Sequence, residues 1–226
     1  MTEGYKKIYL IRHGQAECNV ASDLTIPDAA LTEFGRSQCV DFSQSSLGAT
    51  IQDSAELILT SPLRRALSTT LLALPRAVER LLPDSHLLLV PQLQEINDVA
   101  CDRGSDRAIL ESTPEYTSDL KHIGQLDFSP LTEDWNKKQG IYAANLDALW
   151  ARAQWVRRMI RDREEKTIVI VAHGNFLRFL VGLDGYYNRV RIWSNVEARL
   201  YTFESLDDER AKLVPVYDDS RSTGLL

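Results

Sequence analysis

Short apolar runs alternate with longer amphipathic ones along this chain, and that alternation sets its fold class. Strand-like runs fall at 6–11, 56–60, 87–90, 167–172 and 198–203, the first and fourth of them rich in Ile, Val and Leu. They have the length of buried strands. After Leu31, Thr32 stands as an N-cap before a predicted helix over 33–45. Ser61-Pro62 closes the second run, and Pro62 suits the first turn of a helix through Leu63, Ala66, Leu67, Thr70 and Leu71. The segment 146–163 places Leu146, Leu149, Trp150, Ala153, Val156 and Ile160 on one face. Arg152, Arg157, Arg158, Arg161 and Arg163 lie largely off that face and read as a solvated surface. Strands alternating with helices predict an α/β fold, a mainly parallel central sheet flanked by helices on both faces. At 226 residues, 1–226 reads as a single domain. The stretch 97–145 departs from the pattern. It is polar, weakly periodic and broken by Gly104, Pro114, Gly124, Pro130 and Gly140, which predicts a lid or specificity insertion.

Two of the strand-like runs end in the same way. Ile8-Tyr9-Leu10-Ile11 leads into Arg12-His13-Gly14, and Ile168-Val169-Ile170-Val171 leads into Ala172-His173-Gly174. In an open α/β sheet the carboxyl ends of neighbouring strands converge on one crevice. Two of the chain's four histidines, roughly 160 residues apart, are thereby expected at one site.

Composition narrows the function without naming it. A net charge of −6 argues against general nucleic-acid binding, which needs a basic face. No apolar run approaches the roughly 18 residues of a membrane helix, and the start, Met-Thr-Glu-Gly-Tyr-Lys-Lys, has no signal-peptide core. Three cysteines, Cys18, Cys39 and Cys101, form no CxxC pair, and an odd count suits a reducing compartment. These features predict a soluble cytoplasmic protein with no structural zinc. Cys18 reads as a buried thiol. The tail beyond about Val216 carries no site signal and reads as a surface segment.

The candidate chemistry begins at Arg12-His13-Gly14, with Glu17 and Asn19 close behind. In order along the chain follow Leu31-Thr32-Glu33-Phe34-Gly35, then Thr60-Ser61-Pro62-Leu63-Arg64-Arg65-Ala66, then Leu93-Gln94-Glu95-Ile96, then Ala172-His173-Gly174. This set resembles the signature of the histidine phosphatase superfamily, the phosphoglycerate-mutase-like enzymes, over about residues 6–180. The resemblance implies a parallel sheet flanked by helices and phosphoryl transfer through phosphohistidine. His13 matches the family's nucleophile. Imidazole is a competent nucleophile near neutral pH, and a transferring phosphoryl group is stabilised mainly by positioned charge. Arg12 and Arg65 supply planar donor forks for its oxygens, and His173 adds another donor. Arg64 and Arg65 point roughly 100° apart on a helix. The family's arginine directly precedes Ala, so Arg65 is the site residue and Arg64 is expected at the surface. Glu95 matches the proton donor in its Leu-x-Glu setting, with Glu17 as second choice. Gly14 and Gly174 allow close backbone approach, and Asn19 can donate to the same oxygens. No metal and no cofactor are implied.

After Glu95 the chain reads Ile96-Asn97-Asp98-Val99-Ala100-Cys101-Asp102-Arg103-Gly104-Ser105. The Gly-x-Trp-x-Gly-like run that many mutases and small phosphatases of the family show there is missing, which departs from the pattern tied to mutase activity and sugar-acid substrates. The stretch instead looks like a phosphomutase-like branch of fungi and plants. Cys101, Arg103 and Ser105 become candidate substrate-binding residues, and Trp135, Lys137 and Lys138 could meet the rest of a substrate. The predicted activity is hydrolysis of a small phosphate ester or diphosphate. The alternatives are mutase-type phosphoryl transfer and a non-catalytic phosphate-binding or scaffold relative.

Overall fold

The computed structural model describes residues 5–20, 22–182 and 189–216. Residues 1–4, part of the stretch read above for a leader, and the tail after Val216 lie outside the described residues. The elements run β1 (Lys7–Arg12), α1 (Glu17–Val20), α2 (Glu33–Gln44), α3 (Ser46–Ser54), β2 (Leu57–Thr60), α4 (Arg64–Ala73), α5 (Pro75–Leu81), β3 (Leu87–Leu89), α6 (Arg107–Ser112), α7 (Leu146–Asp162), β4 (Thr167–Ala172), α8 (Gly174–Val181), β5 (Ala198–Phe203) and β6 (Leu213–Pro215). The sheet order is β3-β2-β4-β1-β5-β6. The first four strands in that order are mutually parallel, while β5 and β6 are antiparallel additions. The fold is α/β, as the sequence pattern predicts. β6 was not foreseen, because three residues ending in Pro215 are too short to show a strand period.

Alternation along the strands divides the core into two. Tyr9, Ile11, Ile58, Val169 and Val171 face a layer built from α2, α3, α4 and α5. Ile8, Leu10, Leu57, Leu59, Ile168 and Ile170 face α7 and α8. Strands buried on both faces explain why these runs are apolar throughout rather than alternating. Each fully buried Ile, Leu or Val contributes roughly 1.5–3 kcal/mol. Among the described residues no helix is long and apolar enough to cross a membrane.

Helix starts follow local chemistry. The Thr32 hydroxyl accepts the Gly35 N–H at 2.9 Å and caps α2 as expected. α4 begins two residues later than the predicted first turn at Pro62, because Leu63 stays extended and serves as its N-cap. The arginine face of α7 needs correction. Arg152 and Arg157 are buried, and Arg157 donates to the Leu180 and Arg210 carbonyls. α7 is covered on more of its circumference than its apolar stripe implies, whereas Leu146, assigned to that stripe, is exposed. The segment 97–145 forms α6 and short 3₁₀ turns, and it sends Leu110, Tyr116, Leu120, Leu126, Phe128, Leu131 and Trp135 into the first core.

Candidate active site

Register places the two histidines side by side. Arg12 of β1 pairs with Ala172 of β4, so His13 and His173 each leave their strand one residue past the same line. The His13 N–H donates to the Ala172 carbonyl at 2.9 Å, and the ring centroids stand 5.1 Å apart. Both rings are buried. Burial holds both imidazoles well below their ordinary pKa, and the nearby Arg65 and Arg12 charges push the same way.

The hydrogen bonds distinguish the two rings. His13 Nδ1 lies 2.7 Å from the Gly14 carbonyl, which can only accept, so Nδ1 carries the proton. The Nε2 lone pair is left facing the Arg65 Nε–H at 3.3 Å. His173 Nε2 instead pairs with the Ser61 hydroxyl at 2.8 Å, and its buried Nδ1 has no hydrogen-bond partner among the described residues. Gly14 is held by the Thr69 hydroxyl, and a Cβ there would stand 2.8 Å from the Gly35 carbonyl, so only glycine fits. A Cβ on Gly174 would press on the Arg12 side chain.

The two guanidiniums are held differently. Arg65 is buried at the start of α4. Its Nη1 donates to the Cys101 carbonyl and its Nη2 to Asp102 Oδ1 at 2.8 Å. Arg12 Nη1 donates to the Trp193 carbonyl at 2.6 Å, while its Nε is buried with no hydrogen-bond partner among the described residues. Arg64 is half-buried, and its backbone N–H donates to Asp28 Oδ1.

Glu95 is buried against the start of α8. Its Oε1 accepts from the Ile96 and Phe176 N–H groups and its Oε2 from Asn175. Those donors and Arg65 favour the anion, yet burial and the Asp102 charge outweigh them and raise its pKa. Lys138 and Arg152 stand on the same side, where Lys138 Nζ donates to the Glu95 carbonyl at 2.7 Å. Arg152 approaches that oxygen through Nη2 at 3.5 Å, with its Nε and Nη1 buried and without hydrogen-bond partners among the described residues. Burial lowers the Lys138 pKa to about 7 and the Arg152 pKa to about 10.

Several candidates are engaged elsewhere. Arg103 is about half exposed and pairs with Asp98 at 2.7 Å. Ser105 donates its N–H and hydroxyl to Asp28 Oδ2. Cys101 turns its carbonyl, not its buried thiol, toward Arg65. Asn19 is exposed and accepts the Ala16 N–H, and Glu17, also exposed, accepts from Ala30. Trp135 is buried with its ring against Gly104, and Lys137 pairs with Asp134. Residue types alone did not single out Asp102, Asp28, Ser61 or Arg152. Asp102 and Ser61 leave a trace only as members of the motif stretches, with no role given to them, Arg152 reads as part of a solvated face, and Asp28 leaves none.

What converges here, two imidazoles, two guanidiniums and a buried carboxyl at parallel strand ends, is the equipment of phosphoryl transfer. A model of the histidine phosphatase superfamily (branch 1) matches residues 8–184, and the chain belongs to that family as a phosphoric ester hydrolase. A "probable phosphatase" of Schizosaccharomyces pombe is 32% identical over 180 residues, 76% of each chain. The 2-carboxy-D-arabinitol-1-phosphatase of Triticum aestivum is 28% identical over 214 residues, 88% of this chain but 37% of that longer one. The 2,3-bisphosphoglycerate-dependent phosphoglycerate mutase of a Nocardioides strain is 27% identical, covering 92% of this chain and 90% of its own. Among solved structures, the α-ribazole phosphatase of Shigella flexneri shares the fold at a TM-score of 0.58 and 20% identity, covering 97% of this chain and 99% of its own.

Proposed function

We propose that this protein hydrolyses a small phosphate ester through a phosphohistidine on His13, without a metal, water being the final acceptor. The observation that carries the reading is the His13 ring itself. Its Nδ1–H is pinned to the Gly14 carbonyl, so a neutral Nε2 lone pair is presented beside Arg65. Nε2 attacks phosphorus and the bond to the leaving oxygen breaks. The Nδ1–H···O=C bond supports the positive charge that develops on the ring. Arg12, Arg65 and the free Nδ1 side of His173 receive the phosphoryl oxygens. Glu95, whose acid form is favoured by burial, gives its proton to the leaving oxygen. Its carboxylate then takes a proton from water, which attacks phosphorus and breaks the P–N bond.

Residues 97–145 are assigned the role of specificity element, since Cys101, Asp102 and Lys138 all come from it. Lys138 and Arg152 add positive charge on the Glu95 side, which suits a leaving group with an anionic group of its own. A second reading, transfer to another hydroxyl of the substrate instead of to water, has the mutase relative in its favour. Phosphate release from a panel of esters, with chelator present, tests the assignment. Chelator-resistant release supports a phosphatase, whereas isomerised ester without free phosphate supports the mutase. Glu95→Gln is expected to slow alkyl phosphates by about 10²–10⁴-fold and activated aryl phosphates far less. Equal losses on both would remove Glu95 from the acid role.

A further inference from the structure

Arg65 is fixed by three contacts, and only one of them carries charge. Its Nε faces His13, its Nη1 meets a carbonyl, and its Nη2 meets the Asp102 carboxylate at 2.8 Å. Both partners of that ion pair are buried, with 2% and 6% of their side chains exposed. The other carboxylate oxygen of Asp102 accepts from Asn97 Nδ2 at 3.0 Å. Each carboxylate oxygen therefore has a protein donor, and with 6% of its side chain exposed Asp102 presents little surface to a substrate. The turn that carries Asp102 is tied back to α4 a second way. Asp28 accepts from the Arg64 N–H at the start of α4 and from Ser105, three residues beyond Asp102. Residues 101–105 thus grip the start of α4 from the side chain of Arg65 and from its backbone.

We propose that Asp102 is a positioning residue for phosphoryl transfer, locking the Arg65 guanidinium against His13 and setting a buried negative charge where the Glu95 carboxyl feels it. The inference rests on the assignment of His13 and Glu95 above. A guanidinium with free rotamers would have to be ordered each time a phosphoryl group arrives, whereas a locked one is oriented beforehand. The second effect is electrostatic. Glu95 feels Asp102 against the opposing charges of Arg12, Arg65, Lys138 and Arg152, with both imidazoles kept neutral by burial. The Asp102 charge favours the protonated acid that the leaving group needs.

Two substitutions separate these effects. Asp102→Asn keeps an oxygen for Arg65 and removes the charge. The basic limb of the kcat/KM profile for an alkyl phosphate should then move to lower pH, while an aryl phosphate that needs no acid keeps most of its turnover. Asp102→Ala also removes the anchor, and affinity for orthovanadate should fall tenfold or more. An unmoved profile in Asp102→Asn, or equal losses on both esters, would overturn the charge effect. Wild-type vanadate affinity in Asp102→Ala would overturn the locking effect. If the Ala variant does not fold, vanadate affinity of Asp102→Asn is read instead; a drop of about two- to threefold is expected, because a neutral acceptor holds Arg65 less firmly than a carboxylate, and unchanged affinity would overturn the locking effect. A wild-type protein that hydrolyses nothing would sink the phosphatase reading, and vanadate binding would still decide for or against Asp102.

Discussion

The carboxyl ends of β1 and β4 carry the same His-Gly pair, the same register and the same burial, yet they are built for different work. At the end of β1 the ring is bonded through Nδ1 to its own chain and shows Nε2 to an arginine. At the end of β4 the ring is bonded through Nε2 to Ser61 and leaves Nδ1 without a hydrogen-bond partner among the described residues. One ring presents a lone pair whose state is fixed by a carbonyl that can only accept. The other presents a nitrogen whose proton depends on a hydroxyl that can give or take. The role of each imidazole is thus decided by the bond on its far side. The arginines repeat the contrast, Arg65 being held by a carboxylate and Arg12 by a single carbonyl.

The largest expected effect breaks the comparison outright. His13→Ala should lower turnover by about 10⁴-fold or more with the circular-dichroism spectrum unchanged, because a strand-end ring contributes little to either core. Mass spectrometry after a rapid quench should find the phosphoryl group on residue 13 of the wild type. Phosphate trapped on His173 instead would exchange the two assignments. His173→Ala should cost less, about 10²–10³-fold in kcat, the usual loss of one donor to a developing charge. That variant should still form the phosphoenzyme, only slowly.

Acidity cannot separate the two rings, but it tests the pair. Burial lowers both pKa values, so His13 stays neutral and nucleophilic below the ordinary imidazole range. The acid limb of the kcat/KM profile should lie well under 6.5, with activity falling only as pH drops through the lowered value. The basic limb belongs to Glu95. Its pKa is raised above 4.5, and activity on alkyl esters falls as pH rises through it and the acid is lost. An acid limb at the ordinary imidazole value would mean that His13 is more solvated than this structure makes it.

Much of this was legible in the sequence because it is local. The apolar runs of β1, β2 and β4 fix buried parallel strands, Thr32 caps α2, and matched strand ends place His13 beside His173. The illegible parts depend on contacts between distant segments. Nothing near Asp28 signals that its carboxylate joins Arg64 to Ser105, a residue 77 positions further along the chain than Asp28 itself. Arg152 looks like one more charge on an arginine-rich helix until residues 138–142 and Phe176 are packed around it. Arg103 and Ser105 have the right chemistry for a substrate, but Asp98 engages the Nε–H of Arg103 and Asp28 takes both donors of Ser105. Polar side chains in the 97–105 stretch are consumed in holding the site together, and composition cannot tell a holding group from a binding one.

The smallest effect is the most informative about why the two ends differ. If the Ser61 hydroxyl donates to His173 Nε2, the proton of the ring sits on Nδ1 and can meet a phosphoryl oxygen. Ser61→Ala removes that bond and leaves a buried ring nitrogen unsatisfied, which should cost about 1–3 kcal/mol of stability. With the tautomer no longer pinned, kcat should fall about 3–30-fold, less than one full donor is worth, and KM should change little. Nitrogen-15 spectra of the imidazoles report the same event directly, since Nδ1 of His173 should be protonated in the wild type and only partly so in the variant. His13 should be unaffected, because its tautomer is set by Gly14. A wild-type kcat together with an unchanged His173 tautomer would show that Ser61 does not set this ring. A shift in both rings would mean that the two strand ends are one coupled unit and not two separately fixed ones.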